Sequence, residues 1–208
     1  MLSVEQLFGF LLAASLITLA PGPDNLMVLS IGMSQGRREG IAFGLGCALG
    51  CLSHTLLAVV GVSALIASSV EAFSVLKICG GLYLVWLGIN ALRSAGGASI
   101  KGDGSDRKTS GALFLKGILA NVINPKVILF FLSFLPQFVV PANGSVTVQM
   151  ATLGILFTLQ AAVIFGLLGY FSGAVGQWVN ASPRVGVAMD RLSGIIFVGL
   201  GLRLMASR

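Results

Sequence analysis

The chain has 208 residues, 56% of them hydrophobic and 10% charged, and its mean hydropathy is +0.97. Soluble globular domains carry about a quarter charged residues, so this composition excludes a water-soluble fold and indicates an integral membrane protein. The net charge of +6 does not mark a nucleic-acid surface, because the cations gather at the ends of apolar segments, where they act as a topology signal.

The N-terminus, "MLSVEQLFGF", contains Glu5 and no basic residue. A signal peptide begins positive, so this first segment is expected to stay in the chain. Six segments are apolar enough to cross a bilayer as helices: 5–33, 41–68, 72–93, 111–135, 147–173 and 185–205. The reading is an all-α membrane protein, a single transmembrane domain of six helices. The 28 glycines suit close helix packing in lipid.

Span 1 is interrupted by "APGPDN", with Pro21, Gly22, Pro23, Asp24 and Asn25 inside apolar sequence. Proline removes a backbone donor and leaves the carbonyl four residues earlier without its helical partner. Freed backbone groups are costly in hydrocarbon, so this break is expected to face protein or a cavity. Asp24 adds about 2.5–3.5 kcal/mol if it lies at the middle of the span. Its position along the span places it past the middle, toward the side of Arg37 and Arg38.

Span 2 carries Cys47, Cys51 and His54 at i, i+4 and i+7, within one arc of a helix. His54 is the sole histidine and suits proton coupling. The three residues also raise the alternative of a metal exporter, since Cys and His are ligands for soft and borderline metals. With Cys79 they raise a third, weaker alternative, a thiol–disulfide relay, although two cysteines four apart are not a CxxC motif. In span 3, Tyr83 is either a gate or core.

The stretch "SAGGASIKGDGSDRKTSG" (94–111) is Gly/Ser-rich and charged, and reads as a flexible connection. Span 4 is interrupted by Asn124, Pro125 and Lys126, with Asn121 three residues before Asn124, a spacing that would place both amides on one helix face. Span 5 has Gln160 as its main polar residue. In span 6, Asp190 and Arg191 lie early enough to reach the interface.

Basic residues follow spans 1, 3 and 5: Arg37 and Arg38; Arg93, Lys101, Arg107, Lys108 and Lys116; then Arg184. The connection after span 4 has no charge. Loops 1, 3 and 5 are therefore expected on the cytoplasmic side and both termini outside, with Arg203 and Arg208 fitting this less well. Trp86 and Trp178 fall near the expected cytoplasmic ends.

Three spans on each side of the long loop suggest an inverted duplication, about 1–94 and 111–208, joined by 95–110. Pro23 aligns with Pro125, His54 with Gln160, and "GLYLVWLG" (81–88) with "GIIFVGLG" (194–201), at offsets that rise from 102 to 113. Inverted-repeat transporters bind substrate near mid-membrane on helices broken at matching places in the two halves. The half-helices restarting at Pro23 and Pro125 would aim their N-termini inward and favour an anion, with Lys126 adding charge. Lys126 stands where Asp24 stands in the other half, so the two are expected close together. Donors for a carboxylate and an acceptor for an ammonium describe a site for a small zwitterion such as an amino acid.

"APGPDNLMVLSIGMSQGRREGIAFGLGCALGCLSH", "LKICGGLYLVWLGINALRS" and "NPKVILFFLSFLPQFV" resemble the LysE/RhtB family of bacterial amino-acid exporters, and the similarity runs along essentially the whole chain. The resemblance implies inner-membrane export of amino acids or related metabolites, coupled to the proton gradient. Family members often have Asn where this chain has Asp24. "GCALGCLSH" is more similar to the homoserine/threonine branch, which implies neutral or small polar substrates. No nucleotide loop or hydrolase constellation is present, so a secondary transporter rather than an enzyme is expected. No cofactor is expected either. The expected partners are the substrate, a proton and the bilayer, with room for a homo-oligomer.

Overall fold

The computed structural model describes residues 2–62, 69–94, 108–181 and 183–206. The elements, in order, are α1 (Val4–Leu19), α2 (Pro23–Ser34), α3 (Arg37–Leu57, running into a π-helical turn, Ala58–Val62) and α4 (Val70–Arg93). Next come α5 (Ser110–Val122) and α6 (Pro125–Leu129, continued by a π turn at Phe130–Phe134 and a 3-10 turn at Leu135–Phe138). A 3-10 turn, Pro141–Asn143, leads to α7 (Val146–Tyr170), α8 (Ser172–Ala181) and α9 (Pro183–Ala206). The connection expected at 95–110 lies largely outside the described residues, as do the end of the predicted second span and Arg208.

Among the described residues, α3, α4, α7 and α9 are each long and apolar enough to cross a bilayer. The pairs α1/α2 and α5/α6 pass the same test together, but bend by 56° and 52° at their breaks. Counting each bent pair as one span gives the six that the hydropathy pattern predicts. The bends fall at the two proline motifs, because a helix cannot donate from Pro21, Pro23 or Pro125. Each proline pair or singlet then opens the next helix, with Pro23 and Pro125 at first-turn positions, where a missing N–H costs nothing.

Two expectations need correction. The fifth span ends at Tyr170 rather than at 173, and a separate ten-residue helix, α8, follows it. Trp178 therefore sits on α8. The segment 172–181 mixes glycine, serine, glutamine and asparagine with apolar residues, so its hydropathy left most of it in the loop between spans 5 and 6 rather than marking a helix. Asn121 and Asn124 do not share a helix face. The helix ends at Val122, and Asn124 is the N-cap of α6, accepting from the Lys126 backbone N–H at 3.1 Å.

α4 and α9 pack along glycines. A Cβ on Gly81 would lie 3.0 Å from the Gly201 carbonyl oxygen, and one on Gly201 would lie 2.6 Å from that of Gly81. Gly88 and Gly194 oppose each other in the same way, at 2.7 Å each. These separations leave no room for a side chain, so the backbones touch. The sequence offset of 113 matches Gly81 with Gly194 and Gly88 with Gly201. Exchanging the halves at that offset turns one glycine contact into the other, as a two-fold relation requires.

The core centres on phenylalanines. Phe10, Phe130, Phe131, Phe134, Phe138 and Phe157 form a connected ring cluster with centroids 4.9–6.2 Å apart. Beside it, Gln6, Asn143 and Gln149 join the start of α1 to the 138–144 turns and the start of α7. Gln6 donates to the Phe138 carbonyl, Asn143 to Gln6, and Gln149 to the Val140 and Gly144 carbonyls.

Candidate functional site

The site is built by the backbone groups that the prolines strand. In an unbroken helix the Ile17 carbonyl would accept from residue 21, but Pro21 has no N–H. The ammonium of Lys126 replaces it. Nζ donates to the Ile17 carbonyl at 3.1 Å and to the Ala20 carbonyl at 3.0 Å. A cation at the C-terminal end of α1 also meets the negative end of that helix's dipole. Nζ further lies 5.8 Å from the centre of the Phe197 ring, over its face. A Cβ on Gly22 would come within 2.9 Å of Nζ, so glycine is what lets the lysine in. The next free carbonyl, that of Thr18, accepts from Asn25 Nδ2 at 2.8 Å.

The second break mirrors the first. In an unbroken helix the Asn121 carbonyl would accept from residue 125, which is proline. His54 Nε2 lies 3.0 Å from that oxygen, and the Asn124 N–H is 2.9 Å away. A carbonyl only accepts, so Nε2 carries the proton and Nδ1 is the nitrogen left to titrate. The Asn121 side chain then links outward. Its Nδ2 donates to Asp24 Oδ2 at 2.8 Å, and the Cys51 thiol approaches its Oδ1 at 3.5 Å. Asn121 thereby ties Asp24, Cys51 and His54 together while fully buried. Gly50 makes space for it, since a Cβ there would meet Asn121 Cβ at 2.8 Å.

Asp24 and Lys126 are brought to one small chamber, together with Thr18, Cys51, Asn121, Phe130 and Phe157. Asp24 is 2% exposed and Lys126 7%. The lysine hydrogen-bonds carbonyls and the aspartate bonds Asn121, so the two charges face the same space through different partners. The chamber measures about 10 Å³, room for at most about one water. This is an occluded arrangement.

Four buried polar atoms around the breaks have no hydrogen-bond partner: Asn25 Oδ1, His54 Nδ1, Asn124 Nδ2 and Gln160 Oε1. Gln160 holds Thr18 Oγ1 through Nε2, at 2.9 Å. Thr18, Phe130, Phe157 and Phe165 also belong to the site and were not singled out from the sequence. Thr18 was detectable as a hydroxyl three residues before Pro21. The phenylalanines were not, because nothing in an apolar run separates a chamber wall from lipid-facing surface.

Cys47, Cys51 and His54 do line one side of α3, but the metal reading is not supported. Among the described residues no group of three His, Cys, Asp or Glu is arranged to hold a metal ion. Cys47 and Cys51 are free thiols buried on α3, and Cys79 is exposed on α4. Tyr83 packs tilted against Trp86, 5.5 Å between ring centres, and does not line the chamber. Asp190 accepts a hydrogen bond from Ser94 Oγ.

A six-span helical bundle whose two bent spans converge on a buried polar chamber is the architecture of a membrane transporter. The chain belongs to the family of LysE type translocators, whose profile matches residues 15–208. It is 32% identical to an uncharacterized membrane protein of Vibrio cholerae, over the full length of both. It is 28% identical to a homoserine/homoserine lactone efflux protein of Salmonella typhimurium, covering 100% of this chain and 99% of that one. It is 30% identical to a leucine efflux protein of an Enterobacter species, covering 97% and 95%. No solved structure matches the chain.

Proposed function

We propose that the protein is a secondary exporter of small neutral amino acids across the bacterial inner membrane, driven by proton antiport. The observation that carries this is the buried chain Asp24–Asn121–His54, which spans both helix breaks and leaves His54 Nδ1 open. A buried polar atom without a partner is expensive, and four of them sit on side chains at, or hydrogen-bonded to, the two helix breaks beside the chamber, ready to pair with a ligand once the breaks open. A zwitterion supplies both kinds of partner. Its ammonium meets Asp24, Asn25 Oδ1 and Gln160 Oε1. Its carboxylate meets Asn124 Nδ2 and the Lys126 ammonium.

Relatives named for homoserine, homoserine lactone and leucine efflux support the substrate class. Coupling follows from the two groups able to exchange a proton beside the substrate, Asp24 and His54. Protonation from outside would displace the substrate ammonium from Asp24, and release to the inside would restore the site. The occluded chamber requires the broken half-helices to shift for access, with the two three-span repeats moving against each other. Loops 1, 3 and 5 face the cytoplasm in this scheme.

The test is efflux of radiolabelled leucine, threonine and homoserine from proteoliposomes under an imposed pH gradient. Acceleration by an acidic receiving side is expected. Efflux that ignores the gradient would refute the coupling, and no efflux of any amino acid would refute the reading as a whole.

A further inference from the structure

A second cavity, about 320 Å³, lies between α2, α7, α8 and α9. Small-molecule sites run from about 300 to 1,000 Å³, so it is large enough for a ligand where the central chamber is not. Its walls are apolar, including Leu29, Leu168, Val175 and Met189. Two polar side chains reach it, Asn25 and Asp190. Asn25 is 6% exposed and its Oδ1 has no partner. Asp190 is a carboxylate held by Ser94. Asp190 offers an acceptor at the wall and Asn25 Oδ1 one buried just beneath it, so the ligand must bring donors on an apolar body. No cation is found among the described residues lining the cavity. A phospholipid headgroup recognised by protein calls for basic residues, and here a carboxylate stands instead.

Pro21 and Asn25 line this cavity, and Asp24, the residue before Asn25, lines the central chamber, so both spaces border the first helix break. We propose that this cavity is the vestibule in which the transporter takes up its substrate, an amino acid with an apolar side chain, before passing it to the chamber at Asp24. The proposal rests on the amino-acid export reading and narrows it. The apolar side chain packs against α7, α8 and α9, and the ammonium lies between Asp190 and Asn25. Selection by side-chain size therefore resides in a cavity wall formed partly by α8, the helix that hydropathy did not reveal.

The experiment compares leucine with alanine efflux in proteoliposomes of the full chain. Val175→Trp fills the cavity from α8 and is expected to lower the leucine-to-alanine efflux ratio at least about tenfold. Val175→Ala widens it and is expected to raise phenylalanine efflux relative to leucine. Asp190→Asn keeps the acceptor for Ser94 but removes the charge, and is expected to raise the KM for leucine severalfold while kcat changes less. Size-exclusion profiles of each variant establish that it is folded. Unchanged ratios in folded Val175 variants overturn the proposal while leaving amino-acid export standing. So does loss of co-purified phospholipid without a change in ratio, which makes the cavity a lipid site. Absence of amino-acid efflux by the unsubstituted protein overturns the export reading and this one with it.

Discussion

Lys126 Nζ sits 3.1 Å from the carbonyl oxygen of Ile17, the acceptor that Pro21 strands by lacking an N–H. A lysine of the second half therefore completes the broken helix of the first. His54, in the first half, reaches across to the second at the Asn121 carbonyl, which has lost its helical partner at Pro125 and is shared with the Asn124 N–H. The two breaks are cross-braced. A shift at one is felt at the other, which is what a transporter with a single central site needs.

Lys126→Met removes two charge-assisted hydrogen bonds and leaves two buried carbonyls unpaired. Each such bond contributes about 1.5–3 kcal/mol, so the variant should unfold at a clearly lower temperature in detergent and export nothing. Gly22→Ala is expected to act in the same direction but more mildly, by crowding Nζ. Thermal unfolding followed by tryptophan fluorescence or dye binding reads both. A Lys126→Met protein as stable and active as the parent would remove the brace from the account.

Asp24→Asn keeps an acceptor for Asn121 Nδ2 and removes only the charge. The variant should be folded and retain amino-acid exchange, while losing acceleration by a pH gradient. Counterflow measured beside gradient-driven efflux separates the two. A variant that still responds to the gradient in full assigns coupling elsewhere, with His54 next.

His54→Gln supplies an amide N–H where the imidazole Nε2–H stands, but no second nitrogen able to take up a proton. It should fold and show a weaker dependence of transport on pH than the parent. His54→Leu also removes one of the two donors at the Asn121 carbonyl, which keeps the Asn124 N–H, so it should lower stability only modestly. If the Gln and Leu variants have the same pH profile as the parent, His54 is only a brace.

Gly88→Leu forces a side chain into the Gly194 carbonyl and Val198 of α9. The packing of α4 on α9 should fail, giving poor membrane accumulation and aggregated size-exclusion profiles. Gly166→Leu, where a Cβ meets nothing within 4 Å, should accumulate normally and serves as the comparison.

Hydropathy and proline position were enough to read six spans, the two breaks and most of the polar residues around them, because the bilayer imposes those patterns one residue at a time. A charge or a proline in a hydrocarbon-length run is visible without knowing its neighbours. The offset of 113 aligned two glycine patterns, but that they face each other between α4 and α9 is a fact of the packing. The partners were likewise beyond the reach of the sequence. That Lys126 serves Ile17 and Ala20, that Asn121 joins Asp24 to His54, and that Asn124 caps a new helix are facts of distance between residues up to 109 positions apart. The expectation of a common helix face for Asn121 and Asn124 failed for the same reason: the turn at 123–124 rotates one away from the other. α8 and the wide cavity behind it belong to the tertiary structure alone, since packing, not hydropathy, decides where an apolar segment turns out of the span and leaves space.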